Sequence, residues 1–177
     1  MSDPADLSRF VRDIPDWPTP GVMFRDITPM LGDAEAFARC VGALAEIGAA
    51  SDGGPVDLVA GIEARGFILA APVAHQLRTG FVPVRKHGKL PHATLSEAYS
   101  LEYGEAVLEI HVDAIQPGQR VLVVDDVLAT GGTIAATTEL IRRAGGEIAG
   151  VSVLIEIAAL AGRERNPDLE ISALLTM

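Results

Sequence analysis

With 177 residues, 49% of them hydrophobic, and a single cysteine, the chain can bury the core of one domain, is short for two, and holds no internal disulfide. Its formal net charge of −10 argues against a broad nucleic-acid-binding face, which would need many Lys and Arg. No apolar run approaches the ~18 residues of a membrane span, and the start, with Asp3 and Asp6, lacks a basic-then-apolar signal, so one cytoplasmic domain over residues 1–177 is expected.

Asp3-Pro4 can open a short helix with Leu7, Phe10 and Val11 on one side. Pro15, Pro18 and Pro20 then impose an extended segment as far as Gly21. From near Asp33 to Gly48 the residues Phe37, Cys40, Val41, Leu44 and Ile47 recur at helical spacing, which assigns Cys40 to a helix core in preference to a reactive surface thiol. After the loop Ser51 to Pro55, a buried strand is expected over Val56 to Gly61, a helix containing Pro72 over Gly66 to Leu77, and a strand over Phe81 to Val84. Such alternation predicts βαβ units and a parallel sheet.

Residues from about 86 to 104 are polar, are punctuated by Gly88, Pro91 and Gly104, and match neither period, so they read as a mobile, lid-like loop. Ala106 to Val112 alternates, with Val107, Glu109 and His111 against Leu108, Ile110 and Val112, as a half-exposed strand does. Pro117-Gly118 turns the chain into Val121 to Val124, a strand apolar on both faces. A helix carrying Ile134, Thr137, Thr138 and Ile141 follows, then a strand over Ile148 to Ile157 and an edge strand over Leu169 to Leu175. The expected fold class is α/β, a mostly parallel central sheet flanked by helices.

The richest stretch is Val121 to Thr133, where an apolar strand ends in Asp125-Asp126 and passes into Ala129-Thr130-Gly131-Gly132-Thr133 at the start of a helix. Two glycines allow a tight turn, two threonines add hydroxyl donors, and backbone N–H groups at a helix N-terminus favour an anion such as a monophosphate. Two aspartates would repel that anion, but carboxylates accept hydrogen bonds from vicinal hydroxyls, so Asp125 and Asp126 suit a ribose whose 5′-phosphate sits in the turn. An apolar strand with Asp-Asp also resembles the magnesium-holding strand of ATPases. That reading needs a G-x-x-x-x-G-K-[ST] loop, which is absent, as is a dinucleotide-binding G-x-G-x-x-G. A surface acid pair beside an ordinary capping threonine is the plainer alternative.

Both lysines of the chain, Lys86 and Lys89, lie in Arg85-Lys86-His87-Gly88-Lys89. The cluster reads either as a solvated loop or as the cations needed by a diphosphate. Arg65, at the end of a buried strand where open α/β sheets bind ligands, would meet an anion or pair with a nearby acid. His75, His87, His92 and His111 show no metal-ligand spacing.

The Val121 to Thr133 run resembles the phosphoribosyl-diphosphate-binding motif of type I phosphoribosyltransferases. Four more blocks are similar to the adenine-using branch of that family: Pro15 to Pro29, Glu63 to Phe67, Arg85 to Pro91, and Tyr99 to Gly104, within a resemblance covering about residues 10–163 and weakening after Gly162. It implies the type I fold with an N-terminal hood (about 1–32) and a lid loop (about 86–104). The implied reaction joins adenine to 5-phosphoribosyl 1-diphosphate, giving AMP and diphosphate.

By the same resemblance Glu63, Ala64, Arg65, Arg85, Lys86 and Lys89 hold the diphosphate, with an unusual peptide bond looked for at Ala64-Arg65. Phe24 stacks on the purine while the backbone of Met23 and Arg25 reads its edge, and Leu160 forms the opposite wall. Stacking suits any base, so a carbonyl accepting from the exocyclic amine and an N–H facing a ring nitrogen must select adenine over 6-oxopurines. Glu102 lies near the base as a proton acceptor, and Tyr103 near the sugar. Mg2+ arrives mainly with the substrate, and the protein is a homodimer whose basic loop can reach the neighbouring site. An enzyme for guanine, xanthine or hypoxanthine, and a non-catalytic sensor with a DNA-binding extension, are the competing readings.

Overall fold

The computed structural model describes residues 4–49, 54–100 and 105–177. After a 3-10 turn over Pro4–Phe10 come β1 (Arg12–Pro15), β2 (Met23–Asp26), α1 (Thr28–Gly32) and α2 (Ala34–Ala49). The middle of the chain forms β3 (Leu58–Ile62), α3 (Arg65–Leu77), β4 (Gly80–Lys86), β5 (Thr94–Ser100) and β6 (Glu105–His111). The remainder supplies β7 (Arg120–Leu128), α4 (Gly132–Arg143), β8 (Glu147–Glu156), a 3-10 turn at Ala158–Leu160, and β9 (Ile171–Thr176).

Strands without a polar face must lie inside a sheet, and Val121, Leu122, Val123 and Val124 are fully buried in the middle of β7. Leu122 and Val124 point into one core with Cys40, Leu44, Leu69 and Val73 of α2 and α3. Val121 and Val123 point into the other, with Ile134, Leu140 and Ile141 of α4. Alternate residues of one strand thus feed both layers. Burial pushes the Cys40 thiol up to about 12, which fits its helix-core assignment.

The sheet runs β5-β6-β4-β3-β7-β8-β9. β3 pairs in parallel with both β4 and β7, β7 with β8, and β8 with β9, whereas β6 is antiparallel to β4 and β5. From β3 the chain moves one way to β4, and β7 is laid on the other side. The C-terminal ends of β3 and β7 therefore flank the point where strand order reverses, the crevice in which open α/β sheets bind ligands.

The structure differs from the sequence-based expectations in several places. The proline-rich entry contains a two-stranded ribbon, β1 against β2, closed around a cis Trp17-Pro18 bond. Asp26 fastens it to α1: one carboxylate oxygen accepts from the Thr28 amide (2.9 Å) and hydroxyl (2.6 Å), the other from Arg12. The Thr28 hydroxyl first, then its amide and Arg12, hold the Asp26 carboxyl down to about 2. The segment expected as loop up to residue 104 includes β5, pinned by seven register pairs with β6. Glu109, expected on an open face, is buried because His87 Nδ1 (2.7 Å), the Gly88 amide (2.9 Å) and the Ser96 hydroxyl (3.1 Å) all converge on it. These hydrogen bonds, led by that of Gly88, outweigh the upward push of burial and lower its carboxyl. Among the described residues no helix is long and apolar enough to cross a membrane.

Candidate active site

Two loops meet at the crevice. At the end of β3 the chain passes through Glu63 and Ala64, joined by a cis peptide bond, into α3, which begins at Arg65. The bond lies one residue earlier than the expected Ala64-Arg65. At the end of β7 it passes through Ala129 and Thr130 to Gly131, the residue before α4, at φ 79°. The first amides of a helix have no partner within it, so α4 presents them toward the turn.

Asp125 and Asp126 are 7% and 6% exposed, so they are not a surface acid pair. The Asp126 amide donates to Asp125 Oδ1 at 2.9 Å. Burial above all, and then the neighbouring Asp126 charge, hold the Asp125 carboxyl well above the usual carboxylate range. Burial also raises Asp126, less so because Arg65 opposes it. Arg65 Nη2 lies 2.7 Å from Asp126 Oδ2, close enough for an ion pair although that oxygen receives no well-aligned hydrogen bond. The same guanidinium sits over the Phe24 ring at 4.8 Å. Arg65 thus makes both contacts, one with an acid and one with the expected base platform.

A cleft of about 490 Å³ opens beside it, lined by Met23, Phe24, Arg25, Arg65, Ala129 and Leu160 among others. Residues chosen from segments far apart in sequence are therefore brought to one wall. The sequence reading missed Val127, Ile157 and Ala159 in the same lining, and Trp17, whose ring meets Phe24 edge-on at 4.3 Å. Of these only Trp17 carried a signal: a lone tryptophan between prolines, with no apolar periodicity to absorb it. Arg25 pairs with Asp13 across the ribbon, which fixes the segment bearing Phe24.

The basic cluster is gathered by one carboxylate. Glu63 Oε2 accepts from Arg85 Nε (3.2 Å) and the Lys86 amide (3.1 Å), and Oε1 pairs with Lys89 Nζ, while Arg85 Nη1 donates to the Lys89 carbonyl (3.1 Å). Burial would raise the Glu63 carboxyl, but these bonds and charges, led by Lys89, lower it on balance. Two cations, Arg85 and Lys89, are thereby held beside the β3 loop, where an anion of higher charge can compete for them, and Lys86 is tied to the same carboxylate by its main-chain amide. Glu102 and Tyr103 lie outside the described residues.

The mostly parallel sheet thus carries at its reversal point a buried acid pair, a glycine turn at a helix start and a cation-lined loop, and the phosphoribosyl transferase domain matches residues 29–175 of this chain. The match runs beyond Gly162, where the resemblance had been expected to weaken. The chain is 58% identical over 171 residues to the adenine phosphoribosyltransferase of Thermobifida fusca, covering 97% of this chain and 96% of that protein. It is 56% identical over 176 residues to that of Acidothermus cellulolyticus, covering 97% and 98%. The crystal structure of adenine phosphoribosyltransferase from Thermoanaerobacter pseudethanolicus superposes with a TM-score of 0.94 at 47% identity, over 98% of this chain and 99% of that one. The Saccharomyces cerevisiae enzyme, complexed with an imino-altritol bisphosphate and adenine, gives 0.93 at 32% identity over 98% and 99%. The chain belongs to the adenine phosphoribosyltransferase family.

Proposed function

We propose that this protein transfers the 5-phosphoribosyl group from 5-phosphoribosyl 1-diphosphate to adenine, giving AMP and diphosphate in purine salvage. The observation that carries the reading is the placement of Arg65, which touches the buried Asp126 and lies over Phe24 at the mouth of the cleft. Sugar clamp, diphosphate loop and base platform are thus within one side chain's reach of each other.

The bond from the anomeric carbon to diphosphate breaks, the bond to adenine N9 forms on the opposite face, and the N9 proton leaves. Because the sugar becomes cationic before it is captured, positioning and charge matter more than strong acid–base chemistry. Asp125 and Asp126 accept from the ribose hydroxyls. Ala129, Thr130, Gly131, Gly132 and Thr133 hold the 5′-phosphate with amides and hydroxyls. Arg65, Arg85, Lys86 and Lys89 receive the diphosphate, Arg85 and Lys89 as Glu63 releases them, with the Ala64 backbone turned toward it. Met23 and Arg25 read the edge of adenine through their backbone, and Phe24 and Leu160 cover its faces. Glu102 is assigned the N9 proton and Tyr103 the sugar.

Magnesium fits this site as a companion of the diphosphate. Magnesium commonly binds through few carboxylates plus phosphate oxygens, so the diphosphate would bring most of its ligands. When bound it supplies positive charge to the leaving group. A homodimer and a cytoplasmic location belong to the same reading. Ile68 on α3 and Phe81 on β4, 43% and 37% exposed, offer a second copy an apolar surface.

The deciding experiment compares diphosphate release with adenine, hypoxanthine, guanine and xanthine. Adenine is expected to lead by about 100-fold or more, since each buried polar group left unpaired by an oxo base costs ~1–3 kcal/mol. Preference for an oxopurine would overturn the base assignment, and DNA binding at moderate salt with no turnover would revive the sensor. Phe24→Ala is expected to raise the KM for adenine about tenfold, the worth of one stacked base, while the KM for the diphosphate substrate stays near its starting value. Steady-state kinetics with each substrate varied in turn checks this.

A further inference from the structure

The phosphate turn and the base-pocket wall touch main chain to main chain. A Cβ placed on Gly162 would collide with the Ala129 carbonyl, and one placed on Gly131 with the Gly162 carbonyl. One buried side chain closes this seam. Asn166, 6% exposed, donates from Nδ2 to the carbonyl oxygens of Gly131 (3.1 Å) and Gly162 (3.0 Å).

Each carbonyl belongs to a different half of the site. Gly131 precedes α4, and its oxygen also accepts from the Ala135 amide at 3.0 Å, so its position sets that of the first helical amides. Gly162 closes the segment that brings Ile157, Ala159 and Leu160 to the cleft wall. A primary amide has two N–H donors on one planar nitrogen, which lets a single rigid group hold two acceptors at a fixed separation. Among the described residues no other side chain donates to both.

We propose that Asn166 is a positioning residue that fixes the spacing between the 5′-phosphate subsite and the purine subsite, so that one nucleotide can engage both ends together. The inference rests on the transferase reading above and deepens it. A brace with a purely structural role would weaken every ligand alike. A spacer acts on ligands that span both subsites, because only those depend on the distance between them.

Titration calorimetry on the full chain with adenine, ribose 5-phosphate and AMP separates the two. In Asn166→Ala, adenine and ribose 5-phosphate are expected to bind within about threefold of wild type while AMP weakens by about 30-fold, the signature of lost simultaneous engagement. Equal weakening of all three, or unchanged AMP binding, would overturn the proposal. Asn166→Asp keeps the shape and gives a second reading that survives if the alanine variant folds poorly. Its carboxylate faces two carbonyl oxygens, whereas its protonated form regains one donor, so AMP affinity relative to wild type should recover as pH falls from about 8 to about 5. The charged groups around that position are Glu139 and Arg142 of α4 and Arg165 and Asp168 of its own segment. All are present in both proteins, so their own titration cancels in the ratio, and what remains is that of the introduced carboxyl, whose midpoint they set. A ratio independent of pH would count against the spacer. Folded wild type that fails to bind AMP would sink the transferase reading itself, whereas wild-type binding matched by the alanine variant would sink the spacer alone.

Discussion

Asp125→Asn is expected to make the protein harder to unfold at neutral pH while turnover falls, and adding Asp126→Asn should lower turnover by about 1,000-fold or more, the scale of losing charges that stabilise a transition state. The two effects share one cause. Burial and the Asp126 charge hold the Asp125 carboxyl above its ordinary value of 3.8. The folded state therefore keeps that proton to higher pH than the unfolded chain does. Between the unfolded and the folded value the native form binds more protons, so stability falls as pH rises through that window and the cost persists above it. Asparagine is neutral throughout, and its oxygen can still accept from the Asp126 amide. The stability gap between variant and wild type should thus open from acid to neutral pH. If about 1 kcal/mol is recovered, the melting temperature rises by about 2–4 °C in a chain of this size. Thermal melts at several pH values, with diphosphate release measured on the same samples, test both halves. A variant no more stable than wild type at pH 7 would show that the acid pair is not strained by burial, and retained turnover in the double variant would refute the sugar clamp.

Gly131→Ala should be the most damaging single change in the phosphate turn. At φ 79° the position is left-handed, which costs an L-residue about 1–2 kcal/mol. The new methyl would also press on the Gly162 carbonyl and on Asn166 Nδ2, which would lie 2.5 Å away. Overpacking of this kind costs about 1–3 kcal/mol more. The expected result is a melting temperature lower by roughly 5–15 °C, on the scale of about 2–4 °C per kcal/mol. Affinity for ribose 5-phosphate should drop by about tenfold or more, because the α4 amides shift with the turn. Calorimetry with ribose 5-phosphate on the folded variant checks the second effect independently of the first. Unchanged binding would mean that the phosphate does not sit in this turn.

Much of the fold could be read from periodicity, since an apolar run such as Val121 to Val124 has few homes other than the interior of a sheet. What escaped was structure made by pairing. β5 carries Leu95, Glu97 and Tyr99 on alternating positions, but between Pro91 and Gly104 that short alternation is hard to tell from a loop until β6 supplies a partner. The β1–β2 ribbon was hidden by its prolines, which forbid a helix without announcing a strand. Glu109 was misplaced because a carboxylate reads as exposed unless its donors are known, and those come from positions 87, 88 and 96.

What was legible at the crevice was which side chains with a chemical signature gather there: the acid pair, the glycine turn, Arg65 and the basic cluster. Of the two readings offered for Arg65, the pairing with an acid is seen, and the anion contact is part of the proposal. Asn166 was not legible. Its contribution depends on two carbonyls, and a carbonyl has no letter in the sequence.

The scarcity of lysine has a practical consequence. Lys86 and Lys89 are the only two in the chain, and both are exposed beside Glu63. An amine-directed acylating reagent therefore has just these targets besides the N-terminus, and mass spectrometry of the labelled protein becomes a gauge of who occupies the β3 loop. Shielding of both by diphosphate, with no shielding by adenine alone, would be visible without any turnover assay.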